Sequence, residues 1–350
     1  MTASRYFLLL ILFLATSAMG IGSCGASLQQ AVDESVDGCI VIMRSGTWNE
    51  NVEIDNDLAI LGGYGGGETV ISGDTDGDGT GDGTVVTIDY ADVVMTGLTI
   101  VNGCGDTYDG FQGPETRGGG IYNQGGTLTL NDVTISGNEA DRGGGIYNDH
   151  GTVIMNEGSR VSQNAAGAGG GVYNDEGTFT MTGASSIRSN TGSGIYNDGG
   201  NVNMHDLSSF SDNTNEVCGG GVYNRGGTFN MYDRASIADN QAGDSGGGVY
   251  NTEGGTFIMN DDSSVTHNTA TNGGGVYNDG STLNMNDWSS ISDNNATFNG
   301  GGIVNSGGTV TMNGDSSVTH NTATNGGGVY NAGGTLTVNG AGSISGNTVS

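Results

Sequence analysis

The sequence predicts an all-β chain folded as a parallel β-helix, and three observations support this fold class. Near-copies of one unit follow one another over residues 118–350, with 23 to 27 residues between the glycines that precede each Ile/Val-Tyr-Asn-like triplet. Each unit holds three short runs in which apolar and polar residues alternate with a period of two, which is typical of strands. Seventy glycines and the lack of a 3.6-residue apolar stripe disfavour helices. Such a period indicates a solenoid, whose units bury apolar surface by stacking.

The unit itself predicts three strands per coil, and residues 118–142 show the pattern. The runs cover residues 121–123, 128–130 and 133–135, with glycine or Asn-Asp turns between them. Alternation places the Ile or Val of the first strand, the Leu/Val/Phe and Met of the second and the Ile/Val/Phe of the third inside the coil. Each buried apolar side chain contributes about 1.5–3 kcal/mol, so stacked coils offset the ordering of a glycine-rich chain, whereas one coil alone does not.

Two asparagines recur in every regular unit, one at the end of the first strand and one after the third, beginning with Asn123 and Asn138. Stacked about 4.8 Å apart, their amides are expected to bond along the axis as structural ladders.

A tyrosine lies between the inward residues of the first strand and is expected to point outward. This tyrosine column comprises Tyr122, Tyr147, Tyr173, Tyr196, Tyr223, Tyr250, Tyr277 and Tyr330 and is interrupted at Val304. Two interpretations stay open: stacking between neighbouring rings, or an exposed aromatic stripe that binds sugar rings or a partner protein.

The paired motifs resemble those of a known group. GGGIYN followed by an I/V/F-x-x-N sequence, as at 135–138, 210–213 and 237–240, resembles the GG-A/G-I and F-x-x-N repeats of polymorphic outer membrane proteins. This resemblance implies a single-stranded right-handed parallel β-helix of the pectin-lyase-like superfamily, displayed on a cell surface. About 12 coils are expected in all. Autotransporters of this type end in a membrane β-barrel, whereas the sequence stops after the ninth regular coil.

The N-terminal part divides into a leader and a cap. Residues 1–20 have the layout of a secretory signal peptide, with Arg5, an apolar run at 7–14 and small residues after it. Residues 21–45 are expected to cap the first coil with a short helix around 27–36. In an exported chain a disulfide between Cys24 and Cys39 is expected, although the sequence before Cys24 also loosely resembles a lipobox. Cys104 and Cys218 lie about four coils apart and are expected to be free thiols.

Residues 46–117 predict irregular first coils that continue into the nine regular coils of 118–350, each of about 26 residues. Within them the acidic loop 74–83 carries Asp74, Asp76, Asp78 and Asp82 at the spacing of the first half of a calcium loop. Calcium is the one cofactor that the sequence suggests, and the alternative is an ordinary solvated Asp-Gly loop. The insert 103–117 contains Tyr108, Phe111 and Pro114 and is expected to cover part of the neighbouring coils.

The net charge of the chain limits the classes of partner that it can bind. The formal net charge is −30, and all eight basic residues are arginines. Such a surface repels nucleic acid and anionic membranes.

Lyases of the superfamily use lysine or arginine beside calcium-binding acids, and no such cluster is apparent. His267 and His320 lie in two identical stretches, 262–278 and 315–331, which indicates a duplication rather than a metal site. An ice-binding surface would need a flat threonine array, which Thr127, Thr129, Thr335 and Thr337 suggest only in part.

The sequence thus favours a secreted or cell-surface protein, on the outer membrane in a Gram-negative source, with a non-enzymatic role in adhesion, envelope structure or glycan binding. The alternative is a carbohydrate-active enzyme with a site near Trp48, Glu50, Glu53 and the acidic loop. A polysaccharide or a surface protein is the expected partner, and an uncapped final coil is expected to promote self-association. Attachment to a membrane would need a lipid anchor or a further C-terminal region.

Overall fold

A computed structural model describes residues 27–110 and 113–350 and shows a nearly all-β parallel solenoid of about 12 coils. The predicted leader, Cys24 and Phe111 lie outside the described residues, and so does the predicted pairing of Cys24 with Cys39. The strands of neighbouring coils pair in parallel throughout the described coils, and their inward side chains lie in register. The predicted fold class is therefore confirmed.

One short helix, α1 (Leu28–Asp33), caps the first coil. Its N-cap is Ser27, whose hydroxyl accepts a hydrogen bond from the backbone of Gln30. Glu50 completes the cap, because its two carboxylate oxygens accept the backbone N–H groups of Leu28 and Gln29 at 2.9 and 3.0 Å. The buried face of α1 closes the apolar interior of the first coil.

Four sets of strands form the walls. The first strands are Val52–Ile54, Val86–Asp89, Ile121–Gln124, Ile146–Asp149, Val172–Asp175, Ile195–Asp198, Val222–Arg225, Val249–Thr252, Val276–Asp279, Ile303–Ser306 and Val329–Ala332. The second strands are Asp92–Thr96, Thr127–Asn131, Thr152–Met155, Thr178–Met181, Asn201–Met204, Thr228–Met231, Thr256–Met259, Thr282–Met285, Thr309–Met312 and Thr335–Val338. The third strands are Thr99–Val101, Thr134–Ser136, Arg160–Ser162, Ser186–Arg188, Ser209–Ser211, Ser236–Ala238, Ser264–Thr266, Ser290–Ser292, Ser317–Thr319 and Ser343–Ser345. In the first two coils, Cys39–Asn49 and Leu58–Ser72 run through both the second and third positions.

The prediction of three strands per coil is incomplete, because most regular coils have a fourth. The fourth strands are Glu139–Arg142, Ala165–Ala168, Thr214–Asn215, Gln241–Ala242, Thr269–Asn272, Asn295–Asn299, Thr322–Ala323 and Thr348–Val349. They follow the second asparagine of each unit, and a small buried residue such as Ala242 or Ala270 points inward. Because their buried residues are alanines, they lack the large apolar side chains that mark the other three sets.

The core is one continuous apolar column inside the coils. The predicted inward residues of the three strand sets are fully buried through the regular coils, until the last coil, where Val329 and Leu336 are half-buried. Glycine leads into the first strand of each regular coil because the chain has no room for a side chain there. At Gly145 an added Cβ would lie 2.6 Å from the carbonyl oxygen of Gly171.

Both predicted asparagine ladders are present. In the first ladder each Nδ2 donates to the Oδ1 of the next coil at 2.7–3.0 Å, from Asn123 to Asn331. In the second ladder, from Asn138 to Asn347, each Oδ1 accepts from both the side-chain amide and the backbone N–H of the preceding asparagine. The members are buried up to the last coil, so their roles are structural.

The insert forms an antiparallel hairpin of two strands, Asp106–Gly110 and Gly113–Arg117. Thr84 holds its base, since the hydroxyl accepts the backbone N–H of Asp106 and donates to the carbonyl of Arg117. Thr116 and Asp141 exchange hydrogen bonds and tie the second strand to the neighbouring fourth strand. The hairpin consequently lies against the first regular coils, as the insert was expected to do.

Candidate functional site

The tyrosine column follows the outer side of the first strands, and its rings stack in register. Neighbouring centroids are 4.4–5.5 Å apart from Tyr122 to Tyr277. Between Tyr147, Tyr173, Tyr196 and Tyr223 the planes differ by at most 8°. Each ring therefore uses both faces on its neighbours. A sugar that packs on aromatic faces finds only ring edges and hydroxyl groups in this part of the column.

The hairpin covers the beginning of this column, so the column is exposed along only part of its length. Tyr122, Tyr147 and Tyr173 are at most 3% exposed. The rings from Tyr196 to Tyr277 are half-exposed, and Tyr330 is 37% exposed. Burial raises the pKa of the covered hydroxyl groups, which donate to aspartates of the next coil, as Tyr147 does to Asp175 at 2.6 Å.

Two arginines cross the covered rings. The guanidinium of Arg117 lies 5.5 Å from the ring centroid of Tyr108 and 5.1 Å from that of Tyr147, and Arg142 lies over Tyr173. Glu115 binds both arginines, at 2.7 and 3.0 Å. Tyr108 stacks on Tyr122 at 4.9 Å. This cluster makes the hairpin an integral part of the wall rather than a loose loop.

A cleft lies at the N-terminal end of the tyrosine column, where the first strands carry Glu53 and Thr87 in register with Tyr122. It has a volume of about 530 Å³ and continues into a second hollow of about 320 Å³. Helix α1, the first strands and the base of the hairpin line it. The acidic lining residues are Asp33, Glu53, Asp55, Asp89 and Asp106. The lining contains no basic residue, so the cleft has a negative potential.

The sequence pointed to only one of these groups, Glu53, and it assigned Glu50 to the same region. Glu50 is instead occupied as the cap of α1. Trp48 packs against the core and donates to the carbonyl of Arg44. Asp33 and Asp106 come from distant segments, and their alignment with Glu53 depends on how α1 and the hairpin dock. The only usable sequence signal was the shared register of Glu53, Thr87 and Tyr122.

The acidic loop brings three of its four predicted ligands together. Carboxylate oxygens of Asp74, Asp76 and Asp78 all lie within 4.8 Å of one another. Asp82 is turned to Thr75, which donates its hydroxyl and its backbone N–H to the carboxylate at 2.5 and 2.8 Å, and these hydrogen bonds lower the pKa of Asp82. Three converging carboxylates suit a hard cation such as calcium.

No disulfide joins any two of the described cysteines. Cys39 is buried, whereas Cys104 and Cys218 are half-buried, and burial raises the pKa of both thiols. Cys104 and Cys218 are not bonded to one another in the described coils. In the described part of the chain no helix has the length and apolarity needed to cross a bilayer.

Comparison with known proteins supports the repeat type. Residues 132–149 match the family model of the Chlamydia polymorphic membrane protein repeat. This segment holds both motifs seen in the sequence, the I-S-G-N at 135–138 and the GGGIYN at 143–148. No significant match exists among curated proteins or among solved structures. The chain therefore carries repeats of the polymorphic membrane protein type, stacked as the coils of a parallel β-helix.

Proposed function

We propose that this chain is an exported, surface-displayed adhesion protein that binds a glycan in the N-terminal cleft and catalyses no reaction. The repeat type supports surface display, since polymorphic membrane proteins are outer membrane surface proteins. The signal-like residues 1–20 support export. The two asparagine ladders join the regular coils that continue from the cleft into one bonded support.

The observation that carries glycan binding is the composition of the cleft. Carboxylates and the hydroxyl groups of Thr84 and Thr87 line it, and such groups bind sugar hydroxyls through paired hydrogen bonds. The exposed side chain of Glu53 accepts no hydrogen bond from the described residues, so it can accept one from a ligand. Because the lining is acidic, neutral or amino-bearing sugars fit and acidic polysaccharides are repelled.

The test is retention of the full chain on a panel of neutral, amino-bearing and acidic polysaccharides. We expect retention on the first two classes, and an affinity about tenfold weaker in the Glu53→Gln variant, the effect of losing about 1.4 kcal/mol. Glu157→Gln is the matched control, since Glu157 is exposed on a turn of a regular coil. Equal retention of both variants, or preference for acidic polymers, would refute binding in the cleft.

A second function is supported by the same cleft. Asp33, Glu53 and Asp106 line one cavity, and glycosidases use a pair of carboxylates across the bond that they cleave. New reducing ends after incubation with a retained polysaccharide, abolished by Glu53→Gln but not by Glu157→Gln, would show an enzyme. Retention without new ends supports the adhesion role.

A further inference from the structure

The outer face of the second strands forms a surface without formal charges. We call it the polar wall: it comprises the two outward positions of each second strand in the nine regular coils and the position directly after the second inward residue of that strand. The first outward positions are Thr127, Thr152, Thr178, Asn201, Thr228, Thr256, Thr282, Thr309 and Thr335. The next are Thr129, Ile154, Thr180, Asn203, Asn230, Ile258, Asn284, Thr311 and Thr337. The last are Asn131, Asn156, Thr182, His205, Tyr232, Asn260, Asn286, Asn313 and Asn339.

None of these positions holds Asp, Glu, Lys or Arg, in a chain with 38 acidic residues and a formal charge of −30. The first column is threonine in every regular coil except at Asn201, so it is more regular than Thr127 and Thr335 alone indicate. Charges begin at the edge of the wall, where the next turns carry Asp132, Asp206, Asp233, Asp261 and Asp287.

The side chains of the wall are held in fixed positions. Amides of the last column bond between coils, such as Asn286 to Asn260 at 3.0 Å and Asn313 to Asn286 at 2.9 Å. His205 and Tyr232 stack at 4.7 Å. Amides that already have partners need little desolvation when a surface covers them. Threonine methyl groups and the half-buried Ile154 and Ile258 add apolar area that water leaves on contact.

We propose that the polar wall pairs with the same wall of a second copy of this chain, as an isologous dimer. Electrostatics selects this face for a contact between copies, because chains with this net charge repel one another least where neither carries carboxylates. The wall is about 40 Å long, at about 4.8 Å per coil, and about 16 Å wide. Two copies would cover roughly 1,300 Å² in total, within the range of specific interfaces. The contact uses the side of the solenoid and does not depend on its last coil.

The experiment is sedimentation velocity of the full chain over a range of protein and salt concentrations. We expect a monomer–dimer equilibrium that shifts to dimer as salt screens the remaining charges. Thr256→Glu with Thr282→Glu places one carboxylate in each of two paired coils, and should raise the dimer dissociation constant about tenfold or more. The matched control is Thr269→Glu with Asn295→Glu, which are paired in fourth strands of the same coils and add the same charge elsewhere.

The control variant should dimerise as the unchanged chain does, and circular dichroism should show both variants folded. A chain that stays monomeric under all conditions overturns the proposal. So does equal weakening by both double substitutions, which would indicate general repulsion, or dimerisation that the wall variant leaves unchanged. Loss of neutral-polysaccharide retention in the wall variant, with no dimer in the unchanged chain, would assign the wall to a glycan instead.

Discussion

Asn197 donates its side-chain N–H to the Oδ1 of Asn224, 2.8 Å away, and accepts the corresponding bond from Asn174 at 2.7 Å. All three side chains are fully buried. The same amide of Asn197 also donates to the carbonyl of Gly200, which closes the turn before the second strand. One side chain thus joins three coils and a turn.

Replacing Asn197 with Ala should consequently destabilise the fold strongly. The change leaves a buried donor on Asn174 and a buried acceptor on Asn224 without partners, at about 1–3 kcal/mol for each unsatisfied group. The measurement is the urea midpoint of unfolding followed by circular dichroism. Asn201→Ala, at an exposed position of the same coil, should change the midpoint little. Similar effects of the two substitutions would contradict a structural role for the ladder.

For a column of buried serines, in contrast, we expect that replacement with alanine does not destabilise the fold. The hydroxyl groups of Ser185, Ser208, Ser263, Ser289 and Ser316 are buried without a hydrogen-bond partner. Ala235 occupies the equivalent place in another coil, so the position accepts alanine. Ser263→Ala should therefore leave stability unchanged or raise it by about 1 kcal/mol, because it removes an unsatisfied polar group.

Ser159 supplies the control for this column. Its hydroxyl donates to the carbonyl of Leu130 at 3.0 Å, so Ser159→Ala should lower stability by about 1 kcal/mol. Thermal unfolding of both variants checks the pair. Destabilisation of equal size in both would show that the column hydroxyls have partners in solution.

The tyrosine column predicts how stability depends on alkaline pH. Burial is the main cause that raises the pKa of Tyr108, Tyr122, Tyr147, Tyr173, Tyr196, Tyr223 and Tyr250. In the unfolded chain these groups lose protons near their ordinary pKa of about 10, while the folded chain keeps them. Their contribution to stability is therefore complete below about pH 10 and is lost as the pH rises further.

Ultraviolet absorbance of phenolate, followed with circular dichroism, tests this dependence. We expect much of the phenolate signal to appear together with unfolding above about pH 10. A signal that is complete before any loss of secondary structure would mean that the rings titrate within the folded coils.

Calcium should bind at the acidic loop through Asp74, Asp76 and Asp78. Isothermal titration calorimetry should detect one calcium site, and Asp76→Asn should weaken it about tenfold by removing a charged ligand. Asp262→Asn is the control, since Asp262 is exposed on a turn of a regular coil. No heat with millimolar calcium, or equal effects of the two substitutions, would leave the loop as a solvated turn.

The regular coils could be predicted from the sequence because their determinants repeat. Ile121, Leu128 and Asn123 recur at the same phase, so the chain itself provides the comparison that identifies inward positions and ladders. The fourth strands could not be predicted, because a pair such as Gln241–Ala242 is too short to show a repeated alternation of apolar and polar residues. Their geometry comes from the coil above and the coil below.

The candidate site was harder to predict because it depends on docking. Whether Tyr147 is exposed is decided by the hairpin, whose position rests on Thr84 and Arg117. The role of Glu50 is decided by α1, which turns two backbone N–H groups toward it. No local pattern encodes such contacts between segments far apart in the sequence.

The asparagine ladders also give the solenoid an electrical direction. Along both inner ladders every bond between two asparagine side chains is donated toward the C-terminal end, as from Asn123 to Asn148 and from Asn138 to Asn164. The second ladder begins on a backbone donor, Gly103, whereas the first begins with the buried oxygen of Asn123 unmatched, because Ile88 stands in the preceding coil. Aligned amide dipoles polarise one another. The side-chain dipoles therefore add along the interior, and the negative end of their sum lies at the cleft end.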